Sequence, residues 1–124
     1  MENAEIKKLA IEANNQVWNY LQKKELNLGE DLEMLASAYA SFYLWKKCGG
    51  TALHLARGHW LISRICCHLR ESNLALQHAK LCEKYTDESP DKKDFDEAYK
   101  WEVLARSSAL LKNFKEAKEL KNRA

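Results

Sequence analysis

The chain has 124 residues, 46% apolar and 31% charged, with a net charge of +2. That is enough for one domain with a real core, burying roughly two thirds of the unfolded surface. Near-neutral charge argues against nucleic acid as the main partner. No run of about 18 apolar residues is present to form a membrane span, and "MENAEIKKLA" lacks the apolar core of a signal peptide, so a cytoplasmic protein is the expectation.

One proline and four glycines in the whole chain point to helices throughout. A first helix is predicted over about 3–24, where Ile6, Leu9, Ala13, Val17, Tyr20 and Leu21 recur at helical spacing. "NLGED" breaks it, with Gly29 at the turn. A second helix follows over about 31–47. It is unusually apolar and aromatic, with Leu32, Leu35, Tyr39, Phe42 and Tyr43. "CGGT" ends it, and Thr51 is placed to cap a third helix over about 52–70. After "RESN", Ser72 opens a fourth helix to about residue 85. The polar loop "TDESPDKK" leads to Asp94 and Glu97, which have the spacing of a capping box for a fifth helix to about 111. Asn113 opens a short sixth helix, whose lysines and glutamates (Lys112 with Glu116, Lys115 with Glu119) form a solvated face.

Six helices with short connections imply an all-α fold of three antiparallel helical hairpins, over about 3–47, 52–85 and 92–124, in a single domain. The hairpins share a pattern. Trp101, Leu104 and Ala105, followed by Phe114 and Ala117, match the large and small positions of a tetratricopeptide unit. Ile62, Ser63 and Ala75 lie on the same frame one hairpin earlier, and Ala36 with Ala40 makes a weaker third unit. Small residues at such places let two helices approach closely. The expected architecture is a stack of the tetratricopeptide kind.

Three segments carry a closer likeness. In "LARGHWLISR" the residues Ala56, Arg57, Gly58, Trp60, Ser63 and Arg64 form an A-R-G-x-W-x-x-S-R core. In "DFDEAYKWEVLAR" the residues Asp94, Phe95, Asp96 and Ala98 are followed by Glu102, Leu104, Ala105 and Arg106. Together with "ASFYLW", these make residues 15–120 resemble a family of small bacterial tetratricopeptide-like proteins. The resemblance implies the helical-repeat fold and no particular activity. Where those relatives carry histidine or arginine in the second helix, this chain has Ala36, Tyr39, Phe42 and Leu44.

On a helical wheel the third helix divides in two. Leu55, Gly58, Ile62, Ile65, Cys66 and Leu69 form a packing face, and Gly58 permits a close crossing. His54, Arg57, Trp60, Leu61, Arg64, Cys67 and His68 gather opposite. In the tetratricopeptide frame, Arg57, Trp60, Arg64 and His68 line a concave groove, joined from the fifth helix by Tyr99, Glu102 and Arg106. Two guanidiniums beside an indole suit a carboxylate or phosphate, hence a protein or peptide partner with an anionic segment. The alternative is that Arg57 and Arg64 pair with Glu or Asp of adjacent helices, such as Glu33 or Glu102, and brace the hairpins of a homo-oligomeric structural module. Tryptophans 18, 45, 60 and 101 are expected as core plugs.

Other chemistry finds little support in the pattern. Cys48, Cys66, Cys67 and Cys82 contain no C-x-x-C pair and read as reduced thiols. His78 and Cys82 have a helical i,i+4 spacing, yet no familiar zinc pattern surrounds them. Cys67 beside His68, or Ser63 beside Arg64, point about 100° apart on a helix and make no nucleophile–base pair. A binding module without cofactor, metal or catalysis is the expectation.

Overall fold

A computed structural model describes residues 2–123, with the side chains of 116, 117 and 119–123 outside the described set. Five helices follow one another, and no strand occurs among the described residues: α1 (Asn3–Leu21), α2 (Leu28–Lys47), α3 (Ala52–His68), α4 (Ser72–Asp87) and α5 (Asp94–Arg123). No helix among the described residues is long and apolar enough to cross a membrane.

The expected sixth helix is the continuation of α5, so the third hairpin over 92–124 is replaced by one 30-residue helix. The physical reason is simple. Asn113 was the sole break signal, and asparagine inside a helix costs only about 0.7 kcal/mol, whereas glycine or proline, which would end it, is missing from 94–123. The ion pairs expected of Glu116 and Glu119, and the packing of Ala117, lie outside the described side chains.

Local chemistry sets the other boundaries. Asn27 caps α2 by accepting from the Glu30 amide at 2.8 Å, while the Glu30 carboxylate accepts from the Asn27 amide. This box draws Gly29, expected at the turn, into the first turn of α2. Thr51 caps α3 as expected, with His54 completing the box. Ser72 is the first residue of α4, but no side chain caps that helix. At α5 the box is offset by one residue: Asp96, rather than Glu97, accepts from the backbone of Lys93 at 2.9 Å.

The ends of α2 and α3 are built alike. Gly49 takes the left-handed conformation at φ 83°, and the next amide, Gly50, returns to the Trp45 carbonyl at 2.7 Å. After α3 the same place is held by Arg70 at φ 63°, with Glu71 bonded to Cys66 and Arg70 to Cys67. A side chain in that conformation is disfavoured by roughly 1 kcal/mol. Arg70→Gly is therefore expected to stabilise the fold by about 0.5–1 kcal/mol, net of the exposed Arg70–Phe114 contact. Urea denaturation followed by circular dichroism measures it; a lower midpoint would show that the Phe114 contact outweighs the strain.

Chain neighbours pack against each other in turn, and α3 also packs on α5. Helix α3 is therefore the centre of the molecule. Leu53, Ala56, His59, Trp60, Leu61, Ile62, Ser63, Ile65 and Cys66 are all buried. The two-sided wheel thus underestimates it, because Trp60 and Leu61 of the supposed outer face belong to the core. On α2 the packing face is Met34, Ala38 and Ser41, with Ala36 and Ala40 exposed. The Ser41 hydroxyl donates to the Ala10 carbonyl at 2.8 Å and so ties α2 to α1. At Gly58 an added Cβ would come within 2.8 Å of the Phe42 ring, which is the close α2–α3 crossing expected there. Trp101 departs from expectation: it is 60% exposed, with Lys100 over its ring, because Asp96, Lys100, Val103 and Ser107 are the buried residues among those described on α5.

Candidate functional site

The residues expected to line one groove divide into two groups. The first is a lock between α3 and α5. Arg57 donates twice to Asp96, from Nε to Oδ1 at 2.9 Å and from Nη2 to Oδ2 at 3.0 Å. Burial favours the neutral carboxyl of Asp96, but the Arg57 guanidinium and the Lys93 amide outweigh it and hold the group below the usual aspartate range. Phe95 lies under the same guanidinium at 5.0 Å. One turn on, Trp60 Nε1 donates to Glu102 at 3.2 Å, and its ring stacks on Tyr99 at 4.7 Å between centroids. Glu102 also pairs with Arg106 in the next turn of α5. Deeper still, the Ser63 hydroxyl donates to the Ala75 carbonyl at 2.7 Å and meets Ser107 at 3.1 Å.

The residues of the A-R-G-x-W-x-x-S-R stretch and those of the second motif therefore hold one another. The internal partner of Arg57 is Asp96, not Glu33 or Glu102. The sequence places Asp96 only within the motif that opens the fifth helix, which does not reveal this role. The signal was present in the chain: a bidentate donor on one helix and an acid at N3 of another.

The second group lines an open groove of ≈ 660 Å³ formed by the C-terminal end of α1 with its following loop, α3 and α5. Arg64 and His68 come from α3 and Arg106 from α5, and Lys23 and Lys24 come from the loop, which the sequence reading did not include. Tyr20, Leu21, Leu26 and Leu110 supply apolar wall, and among the described residues no acidic side chain is part of the lining.

Neighbouring acids quench part of this charge. Lys23 pairs with Glu30, Arg106 with Glu102, and His68 Nε2 lies 3.0 Å from Asp31. Arg64 is different. Its guanidinium stands over the rings of Trp18, at 5.6 Å, and Trp60, at 5.7 Å, which are themselves stacked 6.2 Å apart. Among the described residues no carboxylate pairs with Arg64 or with Lys24. Aromatic faces hold a guanidinium in place while leaving its in-plane N–H donors for another acceptor.

Burial pushes the thiols of Cys66 and Cys82 up to about 11, leaving them protonated and inert at neutral pH. Cys67 in the groove meets the Ser107 hydroxyl at 3.7 Å. Among the described residues no group of three histidine, cysteine or acidic side chains is arranged to hold a metal ion.

Among the described residues, fold and site together define an all-helical arrangement with a basic groove between the end of α1, α3 and α5, its Arg64 held over two indole rings. No family model, curated protein or solved structure matches the chain.

Proposed function

We propose that the protein is a non-catalytic binding module whose groove receives an anionic peptide segment, on a scaffold of the tetratricopeptide kind that ends in one long helix. The observation that carries this reading is Arg64. Among the described residues it is a positioned guanidinium with no carboxylate of its own, in a groove lined by four cationic residues and no acid. Such a group grips a carboxylate in two parallel hydrogen bonds, worth about 1.5–3 kcal/mol for each charged bond where water is excluded. Participation of α1, α3 and α5 in a single groove supports the helical-repeat reading, since alternate helices of such stacks share a concave face. Arg57, Trp60, Tyr99 and Glu102 serve this site indirectly, by fixing α3 to α5.

A fluorescein-labelled peptide containing four glutamates, with its glutamine counterpart as control, tests the proposal by anisotropy. The glutamate peptide is expected to bind more tightly, and Arg64→Glu combined with Lys24→Glu to weaken it at least tenfold with folding unchanged. Equal binding of both peptides, or no loss in the variant, would remove the groove from consideration.

Self-association is the second reading. Leu28, Leu32 and Tyr43 are more than half exposed along one side of α2, an apolar stripe suited to a second copy. Sedimentation across a hundredfold concentration range separates the two readings, because the groove alone requires only a monomer.

A further inference from the structure

Away from the groove, α2, α3 and α4 meet at two buried histidines. Nδ1 of His59 (α3) and Nδ1 of His78 (α4) are 3.0 Å apart, and Nε2 of His78 is 2.8 Å from the Tyr39 hydroxyl (α2). Phe42 packs on the His59 ring at 4.5 Å between centroids, and Tyr85 stacks parallel to it at 5.6 Å. His59 is 5% and His78 9% exposed. Two facing nitrogens at that distance share one proton, so at least one of the two rings must be neutral.

We propose that His59 and His78 form an acid-sensitive latch, holding α4 on α2 and α3 while both rings are neutral and releasing it when they take up protons. The count of hydrogens fixes the mechanism. With two ring protons both contacts are satisfied in either direction: Tyr39 donates to His78 and His78 to His59, or His59 donates to His78 and His78 to Tyr39. One added proton makes His78 an imidazolium, which still donates to His59 but now also donates to Tyr39, whose hydroxyl must rotate away. A second added proton sets two N–H groups against each other at 3.0 Å, and the rings must part.

The surroundings offer no compensation for either cation. From α2 the pair is faced by the Tyr39 phenol and by Lys46, whose charge opposes protonation of His59. From α3, Cys66 lies near Tyr39, and α4 adds Tyr85 and, one turn beyond His78, Cys82, both thiols being neutral. Among the described residues no carboxylate contacts either ring. Burial, then the neighbouring His78 charge, then Lys46, lower His59 from 6.5 to about 4, and burial also lowers His78. The unfolded or released rings therefore bind protons first. The latch is fully closed above about pH 6.5 and weakens as pH falls toward 4, where it levels off. For His59 alone this favours the released form by about 300-fold, since each pKa unit is a factor of ten. The latch does not rest on the reading of the groove.

Long-range nitrogen-15 NMR of histidine-labelled protein, with near- and far-ultraviolet circular dichroism from pH 7.5 to 3.5, tests it. His59 is expected to stay neutral well below pH 6 and His78 to titrate below the ordinary histidine value, and the aromatic dichroism to collapse in the same step in which they titrate, ahead of the helical signal. His59→Phe should flatten that step and Tyr39→Phe should shift it; if the former does not fold, the latter and the wild-type ring titration decide. Rings that titrate near 6.5 with no aromatic change, or a His59→Phe protein with the wild-type acid transition, would overturn the latch.

Discussion

Replacing Trp60 by alanine is expected to lower the stability of the fold by about 3–5 kcal/mol, the usual range for emptying a buried aromatic site. Trp60 is 8% exposed and touches three helices: it stacks on Trp18 of α1 and Tyr99 of α5 from its place on α3. Each such aromatic pair adds about 0.5–1.5 kcal/mol beyond buried area, so losses at α1 and α5 come together. Against a total stability of about 5–15 kcal/mol for a domain, one side chain carries about a fifth or more of the margin. Urea denaturation followed by far-ultraviolet dichroism gives the value. Trp60→Phe separates stacking from the indole hydrogen bond: it should cost only about 1–2 kcal/mol, with Glu102 left to Arg106 alone. A loss below 1 kcal/mol for Trp60→Ala would mean that α1 and α5 are held elsewhere. The Arg64 guanidinium would also lose one of its two aromatic faces, so peptide binding should fall in Trp60→Phe far less than in Trp60→Ala.

The end of α2 and the boundaries of α3 and α4 were legible because they rest on local chemistry: "CGG" for a left-handed end, threonine for a cap, proline for a loop. Where sequence reading went astray, tertiary contacts had decided the outcome. Asn113 reads as a helix start, yet nothing around it forbids helix, and α5 runs on. Trp101 reads as a core plug because tryptophan is large and apolar, but Val103 and Ser107 point at the bundle and Trp101 does not. Periodicity gave α3 two faces, whereas four other helices and the indole stack leave only Arg57 and His68 exposed along the middle and end of it. The groove was half legible. Arg64, His68 and Arg106 follow from helical register, but Lys23 and Lys24 arrive on a loop whose path no register predicts. The histidine pair was invisible for a similar reason: His59 and His78 are 19 residues apart on different helices, and only the crossing of α3 with α4 brings their Nδ1 atoms together.

The Arg57–Asp96 pair makes the sharpest case for reading these arginines separately. The Asp96 side chain is only 3% exposed, and Arg57 is 43% exposed. Removing one partner of a fully buried pair costs about 3–5 kcal/mol, because the remaining charge is left without compensation. Solvent at Arg57 screens part of the interaction, so Arg57→Leu is expected to cost about 2 kcal/mol. Asp96→Asn should cost about 1–2 kcal/mol, since the amide oxygen can still accept from Lys93. In the double variant no unpaired carboxylate remains, and its loss should be well below the sum of the two singles, a coupling of about 1 kcal/mol in a double-mutant cycle. Acid has the same effect as the asparagine. Because its folded pKa is depressed, the Asp96 contribution is present above the ordinary aspartate value and is lost as pH falls below it through the folded value. That places it beneath the histidine window, so the Arg57→Leu protein should keep the acid step between 6.5 and 4 and lose stability already at neutral pH. Strict additivity of the two single variants would show that the guanidinium and the carboxylate are held by other contacts. In that case the lock between α3 and α5 would rest on Trp60 and the buried Ser63–Ser107 pair instead.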